Sequence, residues 1–159
     1  MAKVLIQHAS TQWPPIDKSI RKAAKLTLSE QRKGKKCEVS ILLTDDNHIR
    51  QLNRHFRQQD KATNVLSFAL QEGEASGVKE NKRLLGDVVL AYQTIEQEAT
   101  EAPISFLEHT MHLVVHGLLH LLGYDHERSE KEAERQEKKE IAILAQLGIA
   151  NPYALRETV

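Results

Sequence analysis

The chain alternates short apolar runs with longer stretches in which apolar positions recur at the helical period. The short runs span six to nine residues and are rich in valine, isoleucine and leucine, a composition that favours β-strands. We predict four strands, at residues 3–8, 37–43, 65–70 and 84–92.

The longer stretches predict five helices, because their apolar residues fall on one face. The residues expected at their starts are Pro15, Thr44 as an N-cap, Thr94 as a cap, Pro103 in a first turn, and Ser129 in a capping box with Glu132. Residues 127–140, in the last helix, are interpreted as a charged, solvent-exposed surface without function. This order of elements predicts an α+β fold, a single domain in which a mixed four-stranded sheet packs against helices.

The segment HGLLHLLGYDH, from His116 to His126, carries the strongest chemical signal. His116 and His120 are four residues apart, so on a helix they lie on one face about one turn from each other. Gly123 favours the left-handed conformation that ends a helix, which allows His126 to return as a third ligand. Three imidazoles with a fourth position open describe a catalytic zinc site rather than a closed structural one.

The same ligand spacing occurs in the metzincin peptidases, where a glutamate after the first histidine is the general base. Here that position is Gly117, which has no side chain, so a peptidase mechanism is disfavoured. Packed core histidines are the plain alternative to a metal site, although each buried imidazole would then need its own polar partner. His112 is interpreted as a residue behind the ligands or in the core, and Asp125 either orients a ligand imidazole or caps the turn.

Length and composition limit the function classes. The chain has 159 residues, which suits one domain, and Lys+Arg and Asp+Glu number 22 each, so no overall field draws it to nucleic acid or membranes. The single cysteine, Cys37, excludes an internal disulfide. The N-terminal residues lack a signal-peptide pattern and no window is apolar enough to span a membrane, so a cytoplasmic location is expected.

One local exception to the neutral charge lies at residues 17–36, which hold eight basic and two acidic residues. Such a run is either a solvated helix face or a place where phosphates bind.

The motif resembles the H-G-x-L-H-L-x-G-Y-D-H signature of the YbeY family of zinc-dependent endoribonucleases. Residues 52–70 (LNRHFRQQDKATNVLSFAL) and 84–99 (LLGDVVLAYQTIEQEA) resemble two further family segments, and the similarity covers roughly residues 40–152. The sequence departs from the family at Ala62 and Ala69, where prolines are usual, so looser loop geometry is expected there.

The resemblance implies that His116, His120 and His126 bind one zinc ion, with nickel or copper also accepted by three imidazoles. It implies catalytic roles for His116 and for Arg57, whose planar guanidinium suits a phosphodiester. RNA would enter between the histidine helix and residues 57–67. Whether water or the RNA 2′-hydroxyl attacks, and which group is the general base, stays open, with His112 a possible proton carrier.

The implied function is cleavage of single-stranded RNA in 16S rRNA 3′-end maturation and ribosome quality control. The expected partners are ribosomal RNA and a ribosomal protein or GTPase, without DNA or membrane, and the oligomeric state is left open. Two rival functions are a ribosome-assembly factor that uses zinc for stability and a metallopeptidase without the usual base.

Overall fold

The computed structural model describes residues 2–29, 37–69, 83–124 and 128–154. Within these ranges the strands are β1 (Lys3–His8), β2 (Cys37–Thr44), β3 (Val65–Ala69) and β4 (Arg83–Ala91). They form one sheet in the order β1-β2-β4-β3, in which β1, β2 and β4 run parallel and the edge strand β3 is antiparallel to β4. The predicted mixed four-stranded sheet is confirmed.

The described helices are α1 (Asp17–Ser29), α2 (Asp46–Arg57), α3 (Tyr92–Glu101), α4 (Phe106–Leu121) and α5 (Glu130–Gln146). With the sheet they make the α+β architecture that the pattern of the sequence predicts. No helix of the described ranges has the length and apolarity needed to cross a membrane.

The main core lies between the sheet and the histidine-bearing helix α4. Val39, Ile41 and Val88 contribute to this core from the strands, and Val114 and Leu118 contribute from α4. A smaller cluster lies on the opposite face of the sheet, where Ile49 of α2 packs with Val89 and Ala91 of β4. Since α4 contacts α1, α3, α5 and the sheet, most of its surface is buried, which explains why its sequence is apolar nearly all round.

Two predicted helix starts are wrong, one because the neighbouring residue is the cap and one because of a contact distant in sequence. Asp45, not Thr44, caps α2 by accepting a hydrogen bond from His48 N at 2.9 Å. Helix α3 begins at Tyr92 rather than at Thr94. Thr94 instead donates from its backbone N and its hydroxyl to the carboxylate of Asp46, which comes from α2. A side chain 48 residues away thus satisfies a free N–H of the first turn.

The histidine helix also starts later than predicted. Pro103 lies before α4, and Ser105 is the cap, accepting a hydrogen bond from Glu108 N at 2.9 Å. The cap predicted at Ser129 is confirmed, since its hydroxyl accepts from Glu132 N at 3.1 Å.

The interpretation of residues 127–140 as an exposed charged surface is wrong at two positions in its second half. Gln136 and Glu140 have no exposed surface, and they share one face of α5 with Ile143 and Leu144. This face packs toward α4, so it brings a carboxylate into the protein interior beside the histidine helix.

Candidate active site

His116 and His120 lie one turn apart on α4, near its C-terminal end. Both residues are partly buried, and the His116 side chain keeps 25% of its surface exposed. The pairing on one helix face that the spacing predicts is therefore present, and the His116 side chain is partly accessible to solvent. His126 and Asp125, the other members of the motif named above, lie outside the described residues.

Behind these rings lies Glu140, which carries the only fully buried carboxylate among the described residues. Its Oε2 is 2.8 Å from Nδ1 of His116, and its Oε1 is 2.7 Å from Nε2 of His112. The carboxylate accepts a third hydrogen bond from the hydroxyl of Tyr153, which donates to Oε1. One carboxylate of α5 thus holds two histidines of α4 and the tyrosine that follows α5.

Burial alone would raise the pKa of Glu140, because a carboxylate loses hydration inside a protein. The hydrogen bonds from His112 and His116, the charge of His116 and the Tyr153 hydroxyl outweigh burial and bring the pKa to about 2. Glu140 is therefore ionised at neutral pH. An ionised carboxylate accepts hydrogen bonds only, so Nδ1 of His116 must be the donor.

This hydrogen bond fixes the tautomer of His116. When the ring is neutral, a hydrogen on Nδ1 leaves the lone pair on Nε2, which is the form of imidazole that binds a metal ion. A carboxylate that orients a ligand histidine is a recurring feature of metal sites and raises the basicity of the ring. His112 shares the same carboxylate, which agrees with its interpretation as a residue behind the ligands.

Gln136 adds a second buried polar contact to the same turn of α4. Its Nε2 lies 3.3 Å from the carbonyl oxygen of His116, to which it donates, and 3.1 Å from Nδ1 of the same residue. Neither Gln136 nor Glu140 was found from the sequence. The available signal was their spacing, since positions 136, 140, 143 and 144 follow the helical period and place two polar residues in line with two apolar ones.

Gly117 packs directly against the sheet. A Cβ atom at this position would lie 3.0 Å from Cγ1 of Val88 and 3.1 Å from Oγ of Ser67. The Ser67 hydroxyl also donates to the Gly117 carbonyl at 3.0 Å. The packing of α4 on β3 and β4 therefore disfavours a glutamate at this position, because any side chain would have to displace Val88 or Ser67 by a few tenths of an ångström.

Arg57, the last residue of α2, lies at the edge of the sheet. Its Nη2 donates to the carbonyl oxygen of Ser67 on β3 at 2.9 Å, and its Cζ lies 4.9 Å from the ring centroid of Phe68. Ser67 thus links Arg57, through its carbonyl, to the turn of α4 that begins at His116, through its hydroxyl. The structure brings the sequence-predicted Arg57 and His116 to opposite sides of one strand residue.

The loop between α2 and β3 is held by side chains from α2. Asn53 Nδ2 donates to the carbonyl of Lys61 at 3.0 Å, and Arg50 forms an ion pair with Asp60 at 2.8 Å. Ala62, one of the two departures from the family pattern, packs against the small cluster that includes Ile49. Ala69, the other, pairs with Gly86 in the sheet.

The described donors fit a metal ion bound by imidazoles, because Glu140 holds the hydrogen of His116 on Nδ1 and His120 lies on the same helix face. Within the described ranges, no set of three His, Cys, Asp or Glu side chains is grouped to hold a metal. The third ligand that the motif predicts, His126, falls in the gap between residues 124 and 128.

The basic run is only partly described. Lys18, Lys22 and Lys25 are exposed on α1, whereas the basic residues of the run from Arg32 to Lys36 lie outside the described ranges. Phosphate binding by this run stays a prediction.

Similarity to known proteins extends over most of the chain. The profile of the family described as "Endoribonuclease YbeY" matches residues 5–148. A protein of that name from Magnetococcus marinus is 55% identical over 121 residues, which are 73% of this chain and 82% of the relative. Another from Agrobacterium fabrum is 50% identical over 120 residues, 76% of this chain and 70% of the relative. The solution structure of TM1509 from Thermotoga maritima shares the fold, with a TM-score of 0.60, 24% identity and 91% coverage of both chains.

Proposed function

The chain belongs to the YbeY endoribonuclease family, and from this membership we propose that it is a metal-dependent endoribonuclease that cuts single-stranded RNA. The observation that carries the proposal is the arrangement around Ser67. This residue connects a guanidinium, Arg57, to the helix turn on which Glu140 holds His116 as a metal-binding tautomer.

The proposed metal is zinc, held by His116, His120 and His126. An ion in this position supplies Lewis-acid activation of a phosphodiester, which is the chemistry that open three-histidine sites provide. Glu140 supports such a site by keeping the hydrogen on Nδ1 of His116. Because Glu140 is fully buried, it has no access to substrate and acts only through the histidine.

Arg57 is the proposed phosphate-binding residue. The structure uses Nη2 to hold the guanidinium on the Ser67 carbonyl and the Phe68 ring, and the other N–H donors of the group are the ones we assign to phosphate oxygens. A guanidinium held in this way requires little further ordering when negative charge develops on the phosphoryl group. Its hydrogen bonds therefore stabilise the transition state.

Position 117 is a glycine rather than a glutamate base, so the attacking group must be activated without one. Two nucleophiles remain, water and the 2′-hydroxyl of the RNA. The ends of the products distinguish them, because attack by the 2′-hydroxyl leaves a 2′,3′-cyclic phosphate whereas attack by water leaves a plain monophosphate end.

The proposed biological role is maturation of the 3′ end of 16S rRNA and ribosome quality control in the cytoplasm, together with a ribosomal protein or a GTPase. Membership of the family supports this role. The rival role, a ribosome-assembly factor with a structural zinc, shares the fold and the metal and differs in lacking cleavage.

One experiment tests the proposed activity. The purified chain is analysed for bound metals and then assayed on single-stranded and double-stranded RNA, with and without a chelator and with zinc added back. We expect one zinc per chain and cleavage of the single strand that chelation abolishes and zinc restores. RNA binding by the zinc-loaded protein without any cleavage would contradict the nuclease and favour the assembly factor.

A further inference from the structure

The face of the sheet opposite α4 carries a cleft that α2 covers only in part. Its volume is about 360 Å³, within the range of sites that bind small molecules. Leu52 and Phe56 of α2 and Phe68 of β3 form apolar walls. Phe56 is 51% exposed, more than any other large apolar residue among those described, so an aromatic ring faces solvent in a concave site.

Polar groups lie along the strand side of the same cleft. Ser40 and Asp87 are paired across β2 and β4, and Gln7 and His48 also line the cleft. They provide hydrogen-bond donors and acceptors within reach of an apolar surface. Desolvation by its surroundings raises the pKa of Asp87.

This combination selects one kind of ligand. A phosphate would be repelled by the carboxylate of Asp87, and an aliphatic chain would leave the polar groups without partners. A flat heteroaromatic ring satisfies both parts, because it stacks on an aromatic side chain with its face and forms hydrogen bonds with its edge.

The cleft is continuous with the residue that we assign to the phosphate. The ring of Phe68 lies 5.3 Å from that of Phe56, and the guanidinium carbon of Arg57 lies 4.9 Å from the Phe68 centroid. The aromatic wall and the guanidinium therefore share one side chain, at the edge strand β3.

We propose that this cleft is a nucleobase subsite, in which an unstacked base of the RNA stacks on Phe56 while a neighbouring phosphate contacts Arg57. The inference rests on the proposed function and adds the group that is recognised. Stacking on a phenylalanine tolerates any base, so it accounts for recognition of a single strand, whose bases are free to leave the stack, rather than a duplex.

The test separates base binding from cleavage. The zinc-loaded full chain is titrated with AMP, UMP and ribose 5-phosphate, and the backbone amide signals of Ser40 and Asp87 are followed by NMR. Ribose 5-phosphate reports any binding through phosphate alone. The variants are Phe56→Ala, Phe56→Tyr and, as a matched control, Leu5→Ala, since Leu5 is 47% exposed and does not line the cleft.

We expect both mononucleotides to shift the cleft signals and to bind roughly 5- to 100-fold tighter than ribose 5-phosphate, the range that stacking of one base provides. Phe56→Ala should lose this advantage, whereas Phe56→Tyr and Leu5→Ala should keep it. The subsite would be overturned if ribose 5-phosphate bound as tightly as the mononucleotides, or if Phe56→Ala kept their affinity. A basic peptide is titrated in the same way, and a response to it but to no mononucleotide would also overturn the subsite.

RNA cleavage by the same samples distinguishes the two proposals. If the wild type cuts RNA while mononucleotides leave the cleft signals unchanged, the subsite is wrong and the nuclease stands. If mononucleotides bind at the cleft and no RNA is cut, the subsite stands and the proposed catalytic function is wrong.

Discussion

Nδ1 of His116 lies 2.8 Å from Oε2 of Glu140, a carboxylate whose side chain has no exposed surface. A hydrogen bond of this kind sets which nitrogen of the ring faces a ligand and how strongly that nitrogen binds. The metal affinity of the site should therefore depend on a residue that does not touch the metal.

Replacing Glu140 tests this dependence. Glu140→Gln should weaken zinc binding by about 10- to 100-fold, because a neutral amide orients the His116 ring less firmly than a carboxylate does. The measurement is competition for zinc with a chelator of known affinity. Tyr153→Phe, which removes one donor and leaves the carboxylate, should have a smaller effect.

The matched control for that variant is Glu134→Gln, an exposed glutamate on the same helix. It should bind zinc as the wild type does. Equal zinc affinity in Glu140→Gln and Glu134→Gln would show that the buried carboxylate does not orient the ligand.

The depressed pKa of Glu140 predicts how the stability of the metal-free protein changes in acid. A group whose folded-state pKa is lowered contributes stability above its unfolded pKa and loses it as the pH falls through the folded value. For Glu140 these values are the ordinary 4.5 and about 2. The difference in unfolding free energy between wild type and Glu140→Gln should be present at pH 5 and shrink as the pH falls from 4.5 toward 2.

Denaturant titrations of the chelator-treated proteins at several pH values measure this difference. A difference that is already lost between pH 7 and 5 would mean that the hydrogen bonds do not hold the Glu140 pKa down.

Gly117 provides a prediction about packing. In an open helix position, Gly→Ala would stabilise the protein by up to about 1 kcal/mol through helix propensity. Here the new methyl group would meet Val88 at 3.0 Å and Ser67 at 3.1 Å. Overpacking of a buried site costs about 1–3 kcal/mol, so Gly117→Ala should be destabilising on balance.

A double-mutant cycle with Val88→Ala provides the control, because it removes the methyl group that the new Cβ would meet. Gly117→Ala should cost less in the Val88→Ala background than in the wild type. Stabilisation by Gly117→Ala alone would show that α4 can shift away from the sheet, and a base at 117 would then have to be reconsidered.

The elements of the fold were predictable because burial on one or both faces leaves a periodic pattern in the sequence. The cap at Ser129 was predictable from its local pattern, whereas the start of α3 was not, since Thr94 is bonded by Asp46 from another helix and no local pattern reveals that contact. Contacts of this kind arise only when the chain is folded.

In the candidate site, too, local features were predictable and contacts between helices were not. His116 and His120 are visible in the sequence because both lie on one helix and their spacing is local. Glu140 was missed because it lies among charged residues, in a stretch that local composition describes as solvent-exposed. Only its position in line with Ile143 and Leu144 separates it from its exposed neighbours, and a buried carboxylate needs partners that a single helix cannot show.

Arg57 carries the last prediction, which separates catalysis from structure. Arg57→Ala should reduce RNA cleavage by about 100- to 1,000-fold, the usual effect of removing one preorganised electrostatic group from a transition state. The fold and the zinc content should be unchanged, because the arginine is exposed and its one described hydrogen bond is to a strand-edge carbonyl that water can replace. Cleavage of a single-stranded RNA by zinc-loaded protein is the measurement, with zinc content and thermal unfolding recorded on the same samples.

The matched control is Arg54→Ala, which replaces an exposed arginine one turn earlier on α2 and should cut RNA like the wild type. Arg57→Lys should recover only part of the activity, since an ammonium keeps the charge and loses the planar pair of donors. Loss of activity in Arg54→Ala as well would assign the effect to the general charge of α2, and full activity in Arg57→Ala would remove this residue from the catalytic site.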